Sequence, residues 1–183
     1  MPESNRELLL TAAQEAFAAE GTLASLRDVA RRAGVGIGTL YRHFPTREAL
    51  LEALLDRGFA ALRERAEDLL GAPPREALLT WLAEVAAGAR TYLGLPQSIM
   101  AALADEGSAL HTSCATMRAA GEVLLTRAQQ TGAVRGDLTV FEVISLVLGL
   151  AWAAQQPGGT EDLLPRLLST AMHGMVTPAP SPG

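Results

Sequence analysis

Lysine is absent from this chain of 183 residues, so all 15 of its basic residues are arginine. The single cysteine, Cys114, excludes an intramolecular disulfide, and one free thiol is typical of a reducing cytoplasm. Aromatic residues make up only 4% of the chain, which is low for a β-sandwich core. A chain of this length can bury a sizeable core without disulfides or a metal. We therefore expect a cytoplasmic protein that is not rich in strands.

Long apolar runs are also missing. The longest, Val143 to Ala154, is interrupted by Ser145, whereas a membrane span needs about 20 apolar residues. The start of the chain, Met1 to Asn5, is polar and has no basic region leading into an apolar run. The sequence therefore predicts neither a membrane span nor a signal peptide.

The net charge of −5 argues against a nucleic-acid partner, but the charge is unevenly distributed. Residues 1–47 carry six arginines against five acidic residues, and residues 48–183 carry nine arginines against fifteen. If the chain binds nucleic acid, the contact must therefore lie at its N-terminal end.

The pattern of apolar residues predicts helices almost throughout. Ala, Leu, Glu and Arg dominate, and no stretch alternates between apolar and polar residues with hairpin turns at its ends. Gly and Pro separate the helical stretches, and Thr177 to Gly183, with three prolines, is predicted to be disordered. The fold class is all-α with about nine helices, predicted at 5–20, 26–33, 37–43, 47–70, 75–93, 96–105, 109–131, 138–155 and 160–175.

Two of these helices are short and meet at a glycine turn, Ala33-Gly34-Val35-Gly36. Ser25 is placed to cap the first of them, and Asp28 is placed to return the contact. Two short helices joined by such a turn, behind a longer helix, describe a helix-turn-helix. In that motif the first short helix braces the DNA backbone and the second presents side chains to the major groove.

The stretch from Ser25 to Phe44 reads SLRDVARRAGVGIGTLYRHF and continues as Pro-Thr-Arg-Glu-Ala-Leu-Leu to Leu51. It resembles the TetR family of transcription regulators in Ala33-Gly34-Val35, in Gly-Thr-Leu-Tyr at 38–41 and in the Arg-Glu pair at 47–48. The resemblance implies a three-helix DNA-binding domain at residues 1–47. It also implies a helical bundle for ligand binding and dimerisation at residues 48–176, followed by the tail at 177–183.

The same resemblance implies a set of residues that contact DNA. Thr39 faces the DNA, and Arg42 is the best candidate for a bidentate contact to guanine. The residues expected to contact phosphates are Ser25, Tyr41, His43 and Arg47. The full predicted set is Ser25, Arg27, Ile37, Gly38, Thr39, Tyr41, Arg42, His43 and Arg47.

Two positions depart from the family pattern. Gly36 stands where a serine commonly caps the second short helix, so that cap is weaker. Ile37 stands where a polar or basic residue is frequent, and an isoleucine can touch only the methyl group of thymine. We therefore expect few hydrogen bonds to bases, many to phosphates and a strong dependence of binding on salt.

The helix predicted at 138–155 is apolar almost all round, and the next helix is rich in leucine. Two such helices from each of two subunits would form a four-helix bundle in a homodimer; the alternative is a core within one chain. Seven residues are candidates for lining a ligand cavity, although each could instead be core packing: Phe59, Trp81, Tyr92, Met100, Leu103, Met117 and Trp152.

The sequence shows no catalytic constellation and suggests no cofactor, and the spacing of His111 and Cys114 is too sparse for a metal site. We expect a sequence-specific transcription regulator and not an enzyme. Its partners would be double-stranded operator DNA with palindromic half-sites and a small-molecule ligand that releases a repressor. The alternative is a helical ligand-binding or partner-binding protein that does not bind an operator.

Overall fold

A computed structural model describes residues 4–91, 95–156 and 162–175 of the chain. The described residues contain nine α-helices and no strand, which confirms the all-α prediction. A 3-10 turn, Leu69–Gly71, follows the fourth helix. The helices are α1 (Asn5–Glu20), α2 (Leu26–Arg32), α3 (Ile37–His43), α4 (Arg47–Asp68), α5 (Pro74–Thr91), α6 (Gln97–Ala104), α7 (Ala109–Gln130), α8 (Val140–Ala153) and α9 (Leu163–Met175).

Several helices begin at residues whose side chains bind free backbone N–H groups. The Thr46 hydroxyl accepts a hydrogen bond from the Ala49 N–H at 3.1 Å at the start of α4. A full capping box starts α8: Thr139 Oγ1 accepts from the Glu142 N–H at 3.3 Å, and Glu142 Oε2 accepts from the Thr139 N–H at 2.9 Å. The Thr139 backbone and hydroxyl donors together hold the pKa of Glu142 below its usual value.

The described residues fall into two compact units, the first within Met1–Ala60 and Arg90–Cys114 and the second within Ala61–Ala89 and Ala115–Gly183. The core of the first unit joins buried residues of α1, α2, α3 and the first half of α4 with Ile99 of α6 and Leu110 of α7. The predicted DNA-binding domain at residues 1–47 lies in this unit. The boundary after residue 47 stays a prediction about function, and the predicted tail at 177–183 lies outside the described residues.

The second unit is organised around Trp81 of α5, which has no exposed surface. Its indole N–H donates to the carbonyl oxygen of Leu62 on α4 at 2.8 Å. On another side its ring lies against the backbone of α7 at Gly121, where only a residue without a side chain allows this approach. Helices α8 and α9 also pack together in this unit.

Helix α8 is buried on one face and exposed on the other. Val143, Ile144, Val147 and Ala151 form the buried face. On the other face Phe141, Leu148 and Trp152 recur at helical spacing, and they are 63%, 43% and 56% exposed within the single chain. The predicted helix is present, and its exposed apolar face is not covered by any of the described residues.

Within residues 4–91, 95–156 and 162–175, no helix is both long and apolar enough to cross a membrane. In those same residues, no three His, Cys, Asp or Glu side chains gather in a way that could hold a metal ion.

Replacing Gly121 with alanine is predicted to destabilise the second unit. The new Cβ atom would lie well inside van der Waals contact with Cη2 of Trp81 and 2.7 Å from its Cζ3. Overpacking of this kind costs about 1–3 kcal/mol. Each kcal/mol lowers the melting temperature of a protein this size by roughly 2–4 °C, and calorimetry or circular dichroism measures the change.

Gly88→Ala is the matched control, because Gly88 also lies inside a helix of the second unit and a Cβ there meets nothing within 4 Å. Alanine is favoured over glycine within a helix by about 0.5–1 kcal/mol, so this variant is expected to melt at the same temperature or higher. Equal melting temperatures for the two variants would contradict the close packing of Trp81 on α7.

Candidate DNA-binding surface

The turn between α2 and α3 sets the direction of α3. Gly34 adopts a φ of +70°, a left-handed conformation that favours glycine. The N–H of Val35 donates to the carbonyl of Ala30 at 3.0 Å, and the N–H of Gly34 donates to that of Arg31 at 3.1 Å. These two bonds form a Schellman motif, which ends α2 and satisfies its last carbonyls. The glycine turn predicted from sequence is therefore present.

Helix α3 has seven residues and no side-chain cap at Gly36, as predicted. Leu40 is completely buried and Phe44, directly after the helix, is 3% exposed. The guanidinium of Arg6 lies 5.6 Å from the centre of the Phe44 ring, a cation–π contact that covers this end of α3. The inward face of α3 is thereby fixed and its other face is left accessible.

The predicted DNA contacts on α3 are mainly on this accessible face. Tyr41 is 49% exposed, so about half of the residue's surface is covered by the protein. Ile37 packs in part against the core of the first unit and keeps some accessible surface. The exposed members of the predicted set on α3 are Gly38, Tyr41, Arg42 and His43, and Thr39 is half-buried.

Ion pairs divide the arginines of this region into two groups. Arg31 pairs with Asp28 at 2.9 Å, and Arg32 pairs with Glu20 at 2.9 Å. Arg27 and Arg42 are exposed and form no hydrogen bond or ion pair with any described residue. These two guanidinium groups are therefore available to an external anion without breaking an internal contact.

Ser25 caps α2, and its Oγ accepts from the Asp28 N–H at 3.4 Å. The expected return contact from Asp28 is wrong, because that carboxylate accepts from Arg31 instead. The hydroxyl hydrogen of Ser25 stays available to donate to a phosphate.

Arg47 lies in the first turn of α4 and is half-buried. Its Nη1 donates to the carbonyl oxygens of Thr22 and Ala24 at 2.8 and 2.7 Å. These partners could not be predicted from sequence, because any residue type can supply a backbone carbonyl, and these two carbonyls lie 25 and 23 residues away along the chain. A phosphate contact by Arg47 stays a prediction.

The candidate ligand residues are divided between the two units. In the first unit Phe59 and Leu103 are partly buried against the core, and Met100 is 49% exposed. In the second unit Trp81 and Met117 are buried, whereas Trp152 is exposed. Tyr92 lies outside the described residues. The proposed ligand-binding role of each stays a prediction.

The second unit also carries an open groove of about 350 Å³ between α4 and α7. None of the seven candidate residues lines it. The groove is bounded by Arg63, Ala66, Glu67, Leu70, Thr116, Ala119, Ala120 and Val123.

A short outward-facing helix, set on a bracing helix by a glycine turn, defines the first unit as a helix-turn-helix. Comparison with known proteins is in agreement. Residues 9–54 match the model for bacterial regulatory proteins of the tetR family, and residues 73–177 match that for the C-terminal domain of SbtR-like transcriptional regulators. The chain therefore belongs to the TetR family of transcriptional regulators, a class of regulators and not of enzymes.

Individual relatives support this assignment. The crystal structure of the TetR transcriptional regulator SCO0520 from Streptomyces coelicolor is 34% identical, with 95% of this chain and 99% of that chain covered and a TM-score of 0.74. The regulator SAR0097 of Staphylococcus aureus is 31% identical over 70 residues, or 37% of each chain. The repressor KstR of Rhodococcus jostii is 38% identical over 60 residues, 33% of this chain and 28% of KstR. The chain thus matches well under half of the length of these two curated relatives.

Arg27→Gln is predicted to weaken DNA binding, and Arg31→Gln is predicted to leave it nearly unchanged. Arg27 is free to meet a phosphate, whereas Arg31 is held by Asp28. Loss of one phosphate contact reduces the magnitude of the slope of log affinity against log salt concentration by about 0.9 for each subunit. Titrations of a fluorescent duplex at several salt concentrations measure both quantities. Equal effects of the two substitutions would show that intramolecular pairing does not select the DNA contacts.

Proposed function

We propose that this protein is a homodimeric, sequence-specific regulator that binds palindromic operator DNA and is released from it by a small-molecule ligand. The observation that carries the proposal is the accessible face of α3, with the unpaired guanidinium groups of Arg42 and Arg27 beside it. In a chain with a net charge of −5, these are unpaired cations on the motif that would meet DNA.

The predicted contacts divide into base contacts and phosphate contacts. Ile37, Gly38 and Arg42 are proposed to lie at or near base edges. Arg42 is the one long polar side chain among them, and a bidentate contact to guanine contributes about 1–3 kcal/mol of discrimination. Ile37 and Gly38 supply no hydrogen-bond donor from a side chain, so they allow only close or apolar approach. Ser25, Tyr41 and His43 would hold phosphates and fix the position of α3 in the groove.

The exposed apolar face of α8 supports a homodimer. Phe141, Leu148 and Trp152 together place two aromatic rings and a leucine in solvent in the single chain, and contiguous apolar surface of this kind marks an interaction site. The same face of a second copy is the proposed occupant, because a two-fold axis pairs identical surfaces. Such a dimer would present two α3 helices to half-sites about 34–36 Å apart or slightly more.

Release by a ligand follows the family pattern and fits the two-unit construction. A ligand bound among the helices of residues 48–176 would favour one arrangement of the dimer, and α4 would carry the change to the DNA-binding helices. The match of residues 73–177 to a C-terminal regulator domain supports this assignment. We further propose that the protein acts in the cytoplasm, where its operator would be accessible.

Arg42→Ala is predicted to weaken binding to the specific operator much more than binding to random duplex. The expected loss on the operator corresponds to about 1–3 kcal/mol for each subunit. A gel-shift assay on the promoter region adjacent to the protein's own gene, run beside a random duplex of equal length, measures both affinities. Arg75→Ala, which removes an exposed arginine of α5, is the control and should bind like the wild type.

Two results of that assay would count against the proposal. Equal losses on operator and random duplex would make Arg42 a phosphate contact only. If the wild-type protein binds no duplex even at low salt, the alternative of a helical ligand-binding or partner-binding protein is favoured.

Leu148→Glu is predicted to convert the dimer to a monomer, because the dimer would bury two carboxylates against apolar side chains. Leu70→Glu is the matched control, since both leucines are 43% exposed but Leu70 belongs to the 3-10 turn after α4 and not to α8. Light scattering after size-exclusion chromatography at micromolar concentration measures the mass. A monomeric wild-type protein, or a dimeric Leu148→Glu variant, would rule out this interface.

A further inference from the structure

The segment between α1 and α2 is held by a side chain from a distant part of the chain. Arg47 Nη1 donates to the carbonyl oxygens of Thr22 and Ala24, at sequence separations of 25 and 23 residues. Both bonds, at 2.8 and 2.7 Å, are as short as charge-assisted hydrogen bonds usually are. A single nitrogen therefore joins the start of α4 to the segment that leads into α2.

The chemistry of the guanidinium limits what else this nitrogen can do. Each terminal nitrogen carries two hydrogens, and the two carbonyls use both hydrogens of Nη1. A positive charge in the first turn of a helix also opposes the helix dipole, so Arg47 is unfavourable for α4 by itself. The two hydrogen bonds to the Thr22 and Ala24 carbonyls offset this unfavourable interaction with the helix dipole.

The segment fixed by Arg47 ends at the residue that caps α2. Gly21 ends α1 with a φ of +78°, Thr22 is buried, and the Ala24 N–H donates back to the Gly21 carbonyl at 3.1 Å. Ser25 then begins the cap, with its Oγ on the Asp28 N–H. Moving the Thr22 or Ala24 carbonyl would move the Ser25 hydroxyl as well.

We propose that Arg47 is a positioning residue, which holds the segment from Thr22 to Ala24 and thereby sets the position of the Ser25 hydroxyl that is proposed to meet a phosphate. The inference rests on the proposed operator binding for its functional part only. The positioning itself is a property of the free protein and can be measured without DNA.

A second arginine of α4 provides the control. Arg57 donates to the side chains of Thr11 and Gln14 on α1, and it approaches Glu7 at 3.9 Å. It therefore also ties α4 to the DNA-binding helices of the first unit, but it does not touch the segment that leads into α2. Loss of Arg57 weakens the attachment of α4 in general, whereas loss of Arg47 should act on the start of α2 in particular.

The experiment compares Arg47→Gln, Arg47→Lys and Arg57→Gln in the full chain. Hydrogen exchange of the peptide covering residues 22–30 is measured without DNA. We expect exchange to speed up about tenfold in both Arg47 variants and little in Arg57→Gln. Arg47→Lys should not restore the slow exchange of the wild type, because the single ammonium group of lysine lacks the planar, fixed geometry of the guanidinium.

Affinity for the promoter duplex is then measured over a series of salt concentrations. A positioning residue predicts a similar, roughly tenfold loss in Arg47→Gln and Arg47→Lys with the salt slope of the wild type, because no counterion-releasing contact has been removed. Arg42→Gln serves as the contrast and should weaken binding without changing exchange of residues 22–30.

Two results would overturn the inference. Unchanged exchange in Arg47→Gln would show that the segment does not depend on Arg47. A salt slope lowered by about 0.9 per subunit in Arg47→Gln, with full affinity in Arg47→Lys, would make Arg47 a phosphate contact and no more. If the wild-type protein bound no duplex, the exchange result would still decide the positioning, and only the proposed function would fail.

Discussion

The DNA-binding surface depends on the burial of one side chain, Leu40. A helix of seven residues does not persist alone in water, since isolated helices need about 12–15 residues even with favourable sequences. Helix α3 also lacks a side-chain cap. It exists because Leu40 is completely enclosed in the core formed with α1, α2 and the first half of α4. The predicted DNA contacts on α3 are thus held in place by a residue that faces the core.

Leu40 is the one residue within α3 that is fully buried, and this affects the outer face of the helix. Most of the remaining side chains are directed away from the core, and they require no partner inside the protein. Two arginines of α2 do have partners inside the protein, because Arg31 pairs with Asp28 and Arg32 pairs with Glu20. Intramolecular pairing therefore concentrates the usable positive charge on Arg27 and Arg42, so a chain that is acidic overall can still present a cationic contact.

Local features of the sequence predicted most of the fold. The bounds of α1 and α3 were predicted to the residue because Ser4, Gly21, Gly36 and Pro45 mark where helices begin and end. The turn at Gly34 could likewise be predicted from the residues of the turn itself. What could not be predicted depends on long-range contacts between parts of the chain.

Three such contacts show why. Ile99 of α6 belongs to the core of the DNA-binding unit, although its own sequence suggests only a short amphipathic helix. Trp81 was a candidate for a ligand cavity, and only its approach to Gly121 and its bond to Leu62 show that it packs inside the second unit. The family resemblance predicted a phosphate contact for Arg47. It could not show that one nitrogen of Arg47 already donates to two backbone carbonyls of the segment before α2.

The path of the chain between its two units bears on how a ligand could act. The chain passes from one unit to the other three times, inside α4, inside α5 and inside α7. A glycine- or proline-rich linker at these points would absorb a change by rotating about free dihedral angles. A continuous helix resists this because its backbone hydrogen bonds must be distorted before it bends. Each passage of the chain from one unit to the other therefore lies inside a helix, and the proposed release of DNA by a ligand would have to act through these three helices.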